Sequence, residues 1–168
     1  MANIKFEEAS ITLNIPFALI GMVTPLANFQ VAYRLQQNMS CEFEKTDDFL
    51  LYKKKMKKDL NFHCLLQVDI TEGLSYMLLD NLATDNSAYM ITELKRMDYI
   101  LLVIGRDFAN ITTSLCKELQ NIHNISFAKV FYTSDNKIVS LRKNIVKSLE
   151  EGIEYFRDSN QLMSDFYI

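Results

Sequence analysis

A chain of 168 residues is the length of one ordinary domain and can bury roughly 70% of its unfolded surface, so it needs neither disulfides nor a metal to fold. Hydrophobic residues make up 49% and charged residues 23%, which excludes a disordered chain and leans toward a buried partner surface. A net charge of −3 argues against a dedicated nucleic-acid binder. The longest apolar run, Tyr99 to Ile104, falls far short of the ~20 residues of a membrane span, and Met1 to Glu8 carries no basic-then-apolar leader. The expectation is a soluble, cytoplasmic protein with no membrane partner.

Residues 11 to 19 alternate, with Ile11, Leu13, Ile15, Phe17 and Leu19 on one side, and predict a half-buried strand. Pro16 would place it at a sheet edge or bulge, and Gly21 would end it. Thr24-Pro25 then reads as the cap and first residue of a helix running to Met39 that buries Leu26, Phe29, Ala32, Tyr33, Leu35 and Met39. Strand character follows over Glu42 to Tyr52 with a bend at Lys45 to Asp48, over Asn61 to Ile70, and over Leu74 to Leu79. Lys53 to Asp59 reads as a charged hairpin tip, and Asp80 to Ser87 as a polar, mobile loop.

After Ile91 to Met97 the chain predicts a buried strand, Asp98 to Ile104, and a turn at Gly105. A helix with Phe108, Ile111, Leu115, Leu119 and Ile122 at helical spacing comes next, then a strand over Ser126 to Tyr132. That strand–helix–strand unit fits one βαβ crossover. A last helix, residues 137–158, carries Ile138, Leu141, Ile145, Leu149, Ile153 and Phe156 on one stripe, and residues 159–168 form a tail ending in Phe166-Tyr167-Ile168. The order β-α-β-β-β-β-α-β-α defines an α+β fold: a mixed, largely antiparallel sheet with two to three helices in one domain over residues 1–168.

Chemistry-bearing motifs are sparse. The four glycines form neither a dinucleotide fingerprint nor a P-loop. Cys41, Cys64 and Cys116 are too dispersed for a metal site and are expected to be reduced thiols, with no metal and no cofactor. The two histidines, His63 and His123, have no nucleophile paired with them in the sequence. Five side chains are candidates for one polar cluster: Arg34, Asp47, Asp48, Glu93 and Asp98. The plainer expectation is that Asp47 and Asp48 satisfy backbone donors in the bend while Glu93 and Asp98 pair with Arg34, Lys95 or Arg96. Lys53, Lys54, Lys55, Lys57 and Lys58 are the strongest local charge feature, a candidate anion or nucleic-acid contact set against a solvated hairpin tip.

Two stretches carry a family resemblance. Phe17 to Gly21, Tyr33-Arg34-Leu35 and Phe43 to Phe49 form the first, and Ile91-Thr92-Glu93-Leu94-Lys95-Arg96-Met97-Asp98-Tyr99 begins the second. Together they resemble the IPExxVDY family, small proteins of the Bacteroidetes without an assigned activity, across residues 10–134. Thr92 stands where the family's Pro would be and Met97 where its Val would be. Family genes lie beside a ribonuclease III and a pyruvate kinase, and that neighbourhood is what the resemblance adds in favour of RNA.

The leading expectation is a non-enzymatic binding protein that acts through a protein–protein interface, as a homodimer or with a separate protein partner. An RNA-associated accessory protein using the lysine hairpin comes second, and an enzyme with a carboxylate or His63 site third.

Overall fold

The computed structural model describes residues 17–39, 42–69, 73–105, 108–132 and 143–160. The chain runs β1 (Phe17–Val23), α1 (Asn28–Met39), β2 (Glu44–Lys45), β3 (Phe49–Lys53), β4 (Lys58–Phe62), β5 (Cys64–Asp69) and β6 (Leu74–Asp80). A 3-10 turn at Thr92–Leu94 precedes β7 (Tyr99–Gly105), α2 (Phe108–Asn121), β8 (Phe127–Tyr132) and α3 (Lys143–Asn160). Six strands form one sheet in the order β2-β5-β6-β7-β1-β8, and β3 and β4 form a separate hairpin. Every ladder among the described strands is antiparallel, and the fold is α+β.

Both faces of the large sheet are covered. Strand alternation sends Phe17 and Leu19 of β1, Met77 and Leu79 of β6, and Ile100, Leu102 and Ile104 of β7 into one core. The β3–β4 hairpin, the segment around Met90 and Ile91, and Leu149 and Ile153 of α3 close over that core. The opposite parity, including Ile20, Met22, Leu78, Leu101 and Val103, packs under Val31, Ala32 and Leu35 of α1 and Leu115 and Leu119 of α2. Strands buried on both faces read as continuous apolar runs, which is why FALIGMV and YILLVIG are so uniform.

Several sequence expectations are corrected. β1 is an interior strand between β7 and β8, with Ala18 as buried as its neighbours. Residues 11–16, Pro16 among them, lie outside the described residues. Gly21 does not end β1; it pairs with Ile100 and Lys129 in mid-strand. A Cβ there would stand 2.9 Å from Met97 Cγ, so close approach explains the glycine. α1 begins at Asn28, after Thr24-Pro25: Thr24 Oγ1 accepts from Leu26 N at 3.2 Å, making a local turn. The start of the helix is instead closed by Gln30 Oε1, which accepts from Ala27 N at 2.9 Å.

The strand expected over Asn61 to Ile70 is two strands, leaving the hairpin and joining the large sheet at His63. β7 and β8 are parallel to each other but are separated by β1, so the predicted crossover spans an intervening strand. The last helix is described over Lys143–Asn160; Leu149 and Ile153 of its predicted stripe are fully buried, while its predicted start at residue 137, Ile138, Leu141 and the tail fall outside the described residues.

Candidate functional site

A row of polar side chains crosses one end of the large sheet, where β5, β6 and β7 meet the start of α1. The switch at His63 sets its first pair. His63 Nδ1 lies 3.1 Å from Asp48 Oδ1, an ion pair when the imidazole carries its second proton. Asp80 ends β6 next to them, and its amide donates to His63 O at 3.1 Å. Asn28, the first residue of α1, donates from Nδ2 to Asp80 Oδ1 at 3.2 Å.

Burial raises the Asp80 carboxyl above its ordinary range; the Asn28 hydrogen bond and His63 oppose that shift, and the Asp48 charge adds to it. Tyr99 faces Asp80 across the β6–β7 ladder, and its hydroxyl donates to Leu26 O at 2.8 Å. Burial, then the charges of Asp80 and Asp98, push this phenol up to about 12, so it is a neutral donor at physiological pH. Asp98 Oδ2 accepts from Thr24 N at 2.8 Å, and Thr24 Oγ1 donates to Asn124 O at 2.6 Å.

The contacts made by Asp80, Tyr99, Asp98 and Asn124 bear on residues 24–28, the run into α1. Their combined effect is to fix where that helix starts and how it is rotated. The rotation sends Val31, Ala32 and Leu35 inward and leaves Phe29 65% and Tyr33 57% exposed, one turn apart on the outer surface. Both aromatics were expected in the core. Arg34 is the single charged side chain in the twelve residues of α1.

The predicted cluster is not assembled as a unit. Asp48 meets His63, and Asp98 serves Thr24. Asp47 is exposed in the bend, where its carbonyl accepts from Thr46 Oγ1. Glu93 sits in the 3-10 turn on the sheet face opposite α1, and its charge acts on Lys53. Arg34 is exposed and forms no ion pair among the described residues. No group of three or more His, Cys, Asp or Glu among the described residues is arranged to hold a metal ion. His123 is exposed just beyond α2.

The lysine run divides. The Lys53 ammonium donates to Met90 O, and its pKa is lowered by burial against a partial offset from Glu93. Lys58 pairs with Asp85 at 2.9 Å. Lys54, Lys55 and Lys57 stay exposed at the hairpin tip, with Lys57 in the left-handed region at φ 52°. Cys64 and Cys116 are buried free thiols, and burial pushes Cys64 up to about 12.

Sequence reasoning missed Asn81. It is fully buried, and its side chain donates to Leu94 O at 2.8 Å and Met97 O at 3.0 Å and accepts from Ile91 N at 3.1 Å. Its backbone adds Asn81 N to Asp98 O and Met90 N to Asn81 O. The loop expected to move, Asp80 to Ser87, is therefore pinned at its second residue, and a bridge between Leu82 and Tyr89 closes it further.

A comparison of the chain with protein-family models and with curated proteins matches none of them. Among the described residues no helix is long and apolar enough to cross a membrane.

Proposed function

We propose that this is a non-enzymatic, cytoplasmic interaction protein whose contact surface is the outer face of α1, and that a second copy of the chain is the occupant. The observation that carries the reading is a surface helix with two exposed aromatics one turn apart and one charge in twelve residues. Interface cores are depleted of charge and enriched in Tyr and Phe. A single helix face can also pair with itself about a twofold axis, the commonest arrangement of oligomers. The polar row supports the reading as an anchor: a helix held at its first turn loses little further freedom on binding. Membership of the IPExxVDY family, on the resemblance carried by Phe17 to Gly21, Tyr33 to Leu35, Phe43 to Phe49 and Ile91 to Tyr99, belongs to the same proposal.

Sedimentation equilibrium tests it. The wild-type chain is expected to dimerise with rising concentration, and Phe29→Ala/Tyr33→Ala to remain monomeric with an unchanged circular-dichroism spectrum, since both side chains are exposed. A wild-type chain that stays monomeric throughout refutes self-association. The RNA reading rests on Lys54, Lys55 and Lys57 alone, since Lys53 and Lys58 are engaged within the protein. Neutralising those three and raising salt should both abolish any RNA retention if it operates through phosphate contacts.

A further inference from the structure

On the far side of the sheet from α1, a cleft of about 280 Å³ opens between the β3–β4 hairpin and α3. Tyr52 of β3 and Tyr155 of α3 line it, 53% and 58% exposed, so aromatic surface from two different elements faces the same space. Asp59 of β4 and Glu151 of α3 supply two carboxylates to the lining. The spacing of the walls is set by close packing: a Cβ on Gly152 would stand 2.5 Å from Phe49 Cζ, so the helix backbone rests directly on the Phe49 ring of the hairpin. The contact of Lys147 with Glu151 is 3.8 Å between side chains 70% and 65% exposed, too weak to occupy the carboxylate.

We infer that this cleft binds an organic ammonium group, held between the Tyr52 and Tyr155 rings and neutralised by Asp59 and Glu151. Aromatic faces attract a cation through the ring quadrupole, and the carboxylates select for positive charge and repel phosphate. A neutral apolar guest would strip water from two carboxylates without replacing those interactions. Lys54 also lines the cleft. It brings an ammonium of its own, which makes it an internal competitor for the same carboxylates. The guest is either a small free amine or a lysine side chain of another protein.

The test is NMR titration of the full chain with choline, with its uncharged isostere 3,3-dimethylbutanol, and with a short peptide carrying one lysine, free or acetylated. Choline or the free-lysine peptide is expected to shift the ring signals of Tyr52 and Tyr155 saturably, while the isostere and the acetylated peptide do not. Tyr155→Leu and Glu151→Gln should each weaken binding about 3- to 10-fold, and Lys54→Gln should strengthen it. Whichever of choline or peptide binds tighter identifies the source of the ammonium. Equal shifts from choline and its isostere overturn the inference, as does binding by neither cation to wild type or Lys54→Gln. Affinity unchanged in Tyr155→Leu and Glu151→Gln, with both variants folded, overturns it too. The α1 variants should leave this binding untouched, so the two proposals fail separately.

Discussion

Replacing Asn81 by Ala should be among the most damaging single substitutions in this chain. The side chain makes three hydrogen bonds in a fully buried setting, at 2.8, 3.0 and 3.1 Å. Each is worth about 1–1.5 kcal/mol, and the Ile91 amide and the Leu94 and Met97 carbonyls lose this partner together. The expected loss is therefore about 3–5 kcal/mol, a large share of the ~5–15 kcal/mol by which domains are normally stable. Urea unfolding followed by circular dichroism reads it directly, with Thr84→Ala, an exposed neighbour in the same loop, as the control within about 0.5 kcal/mol. Asn81→Asp sharpens the test. It keeps an acceptor for Ile91 N but turns carboxylate oxygens toward two carbonyls, so it should be severe at neutral pH and partly relieved in acid, where the carboxyl regains a donor. A loss below about 1 kcal/mol for Asn81→Ala, or a neutral-pH Asn81→Asp as stable as wild type, would refute the reasoning.

Two other outcomes follow from the packing and the charges. Gly152→Ala, normally worth about 0.5–1 kcal/mol of added helix stability, should instead destabilise by about 1–3 kcal/mol because its methyl meets the Phe49 ring; Phe49→Leu in the same chain should recover part of that, giving a measurable coupling energy in a double-mutant cycle. Asp80, whose folded-state pKa is raised, binds its proton more tightly in the native than in the unfolded chain, so its contribution to stability is greatest in acid and declines as pH climbs from the ordinary carboxylate value through the raised one. Asp80→Asn, which can still accept from Asn28, should flatten that decline and be the more stable form at neutral pH; a pH–stability curve with unchanged slope in that window would count against the burial account.

Much of the sheet was legible because its strands are written in unbroken apolar runs or strict alternation, as in β6 and β7, and α2 because its apolar residues recur at helical spacing. The α+β class follows from those elements. α1 was misread on its rotation. Its sequence offers two apolar stripes on opposite sides, one with Val31 and Leu35 and one with Phe29 and Tyr33, and local periodicity does not choose between them. The choice is made by Tyr99, Asp80 and Asp98, which are distant in sequence and bind the residues just before the helix and at its first turn. The site was obscured for the same reason. His63 looks like one more residue in a strand, and only the change of sheet at that point brings it to Asp48 and Asp80. Asn81 gave no signal at all, because a polar residue in a polar stretch reads as surface until the chain on either side is known to fold over it.

The placement of β1 between β7 and β8 has a consequence for how the chain is made. Synthesis delivers the strongly apolar FALIGMV before either of its neighbours, and it finds one partner only once residues 99–105 have followed and the other only after residues 127–132. The hydrogen bonds from Thr24 at the strand's end reach 74 and 100 residues downstream. Closing loops of that length before any pairing rewards them slows folding, and for that interval a nascent β1 presents bare strand edges to every other growing chain. Folding should therefore depend on something holding β1 until its neighbours are made, such as a chaperone near the ribosome exit, far more than the final stability of the sheet would suggest.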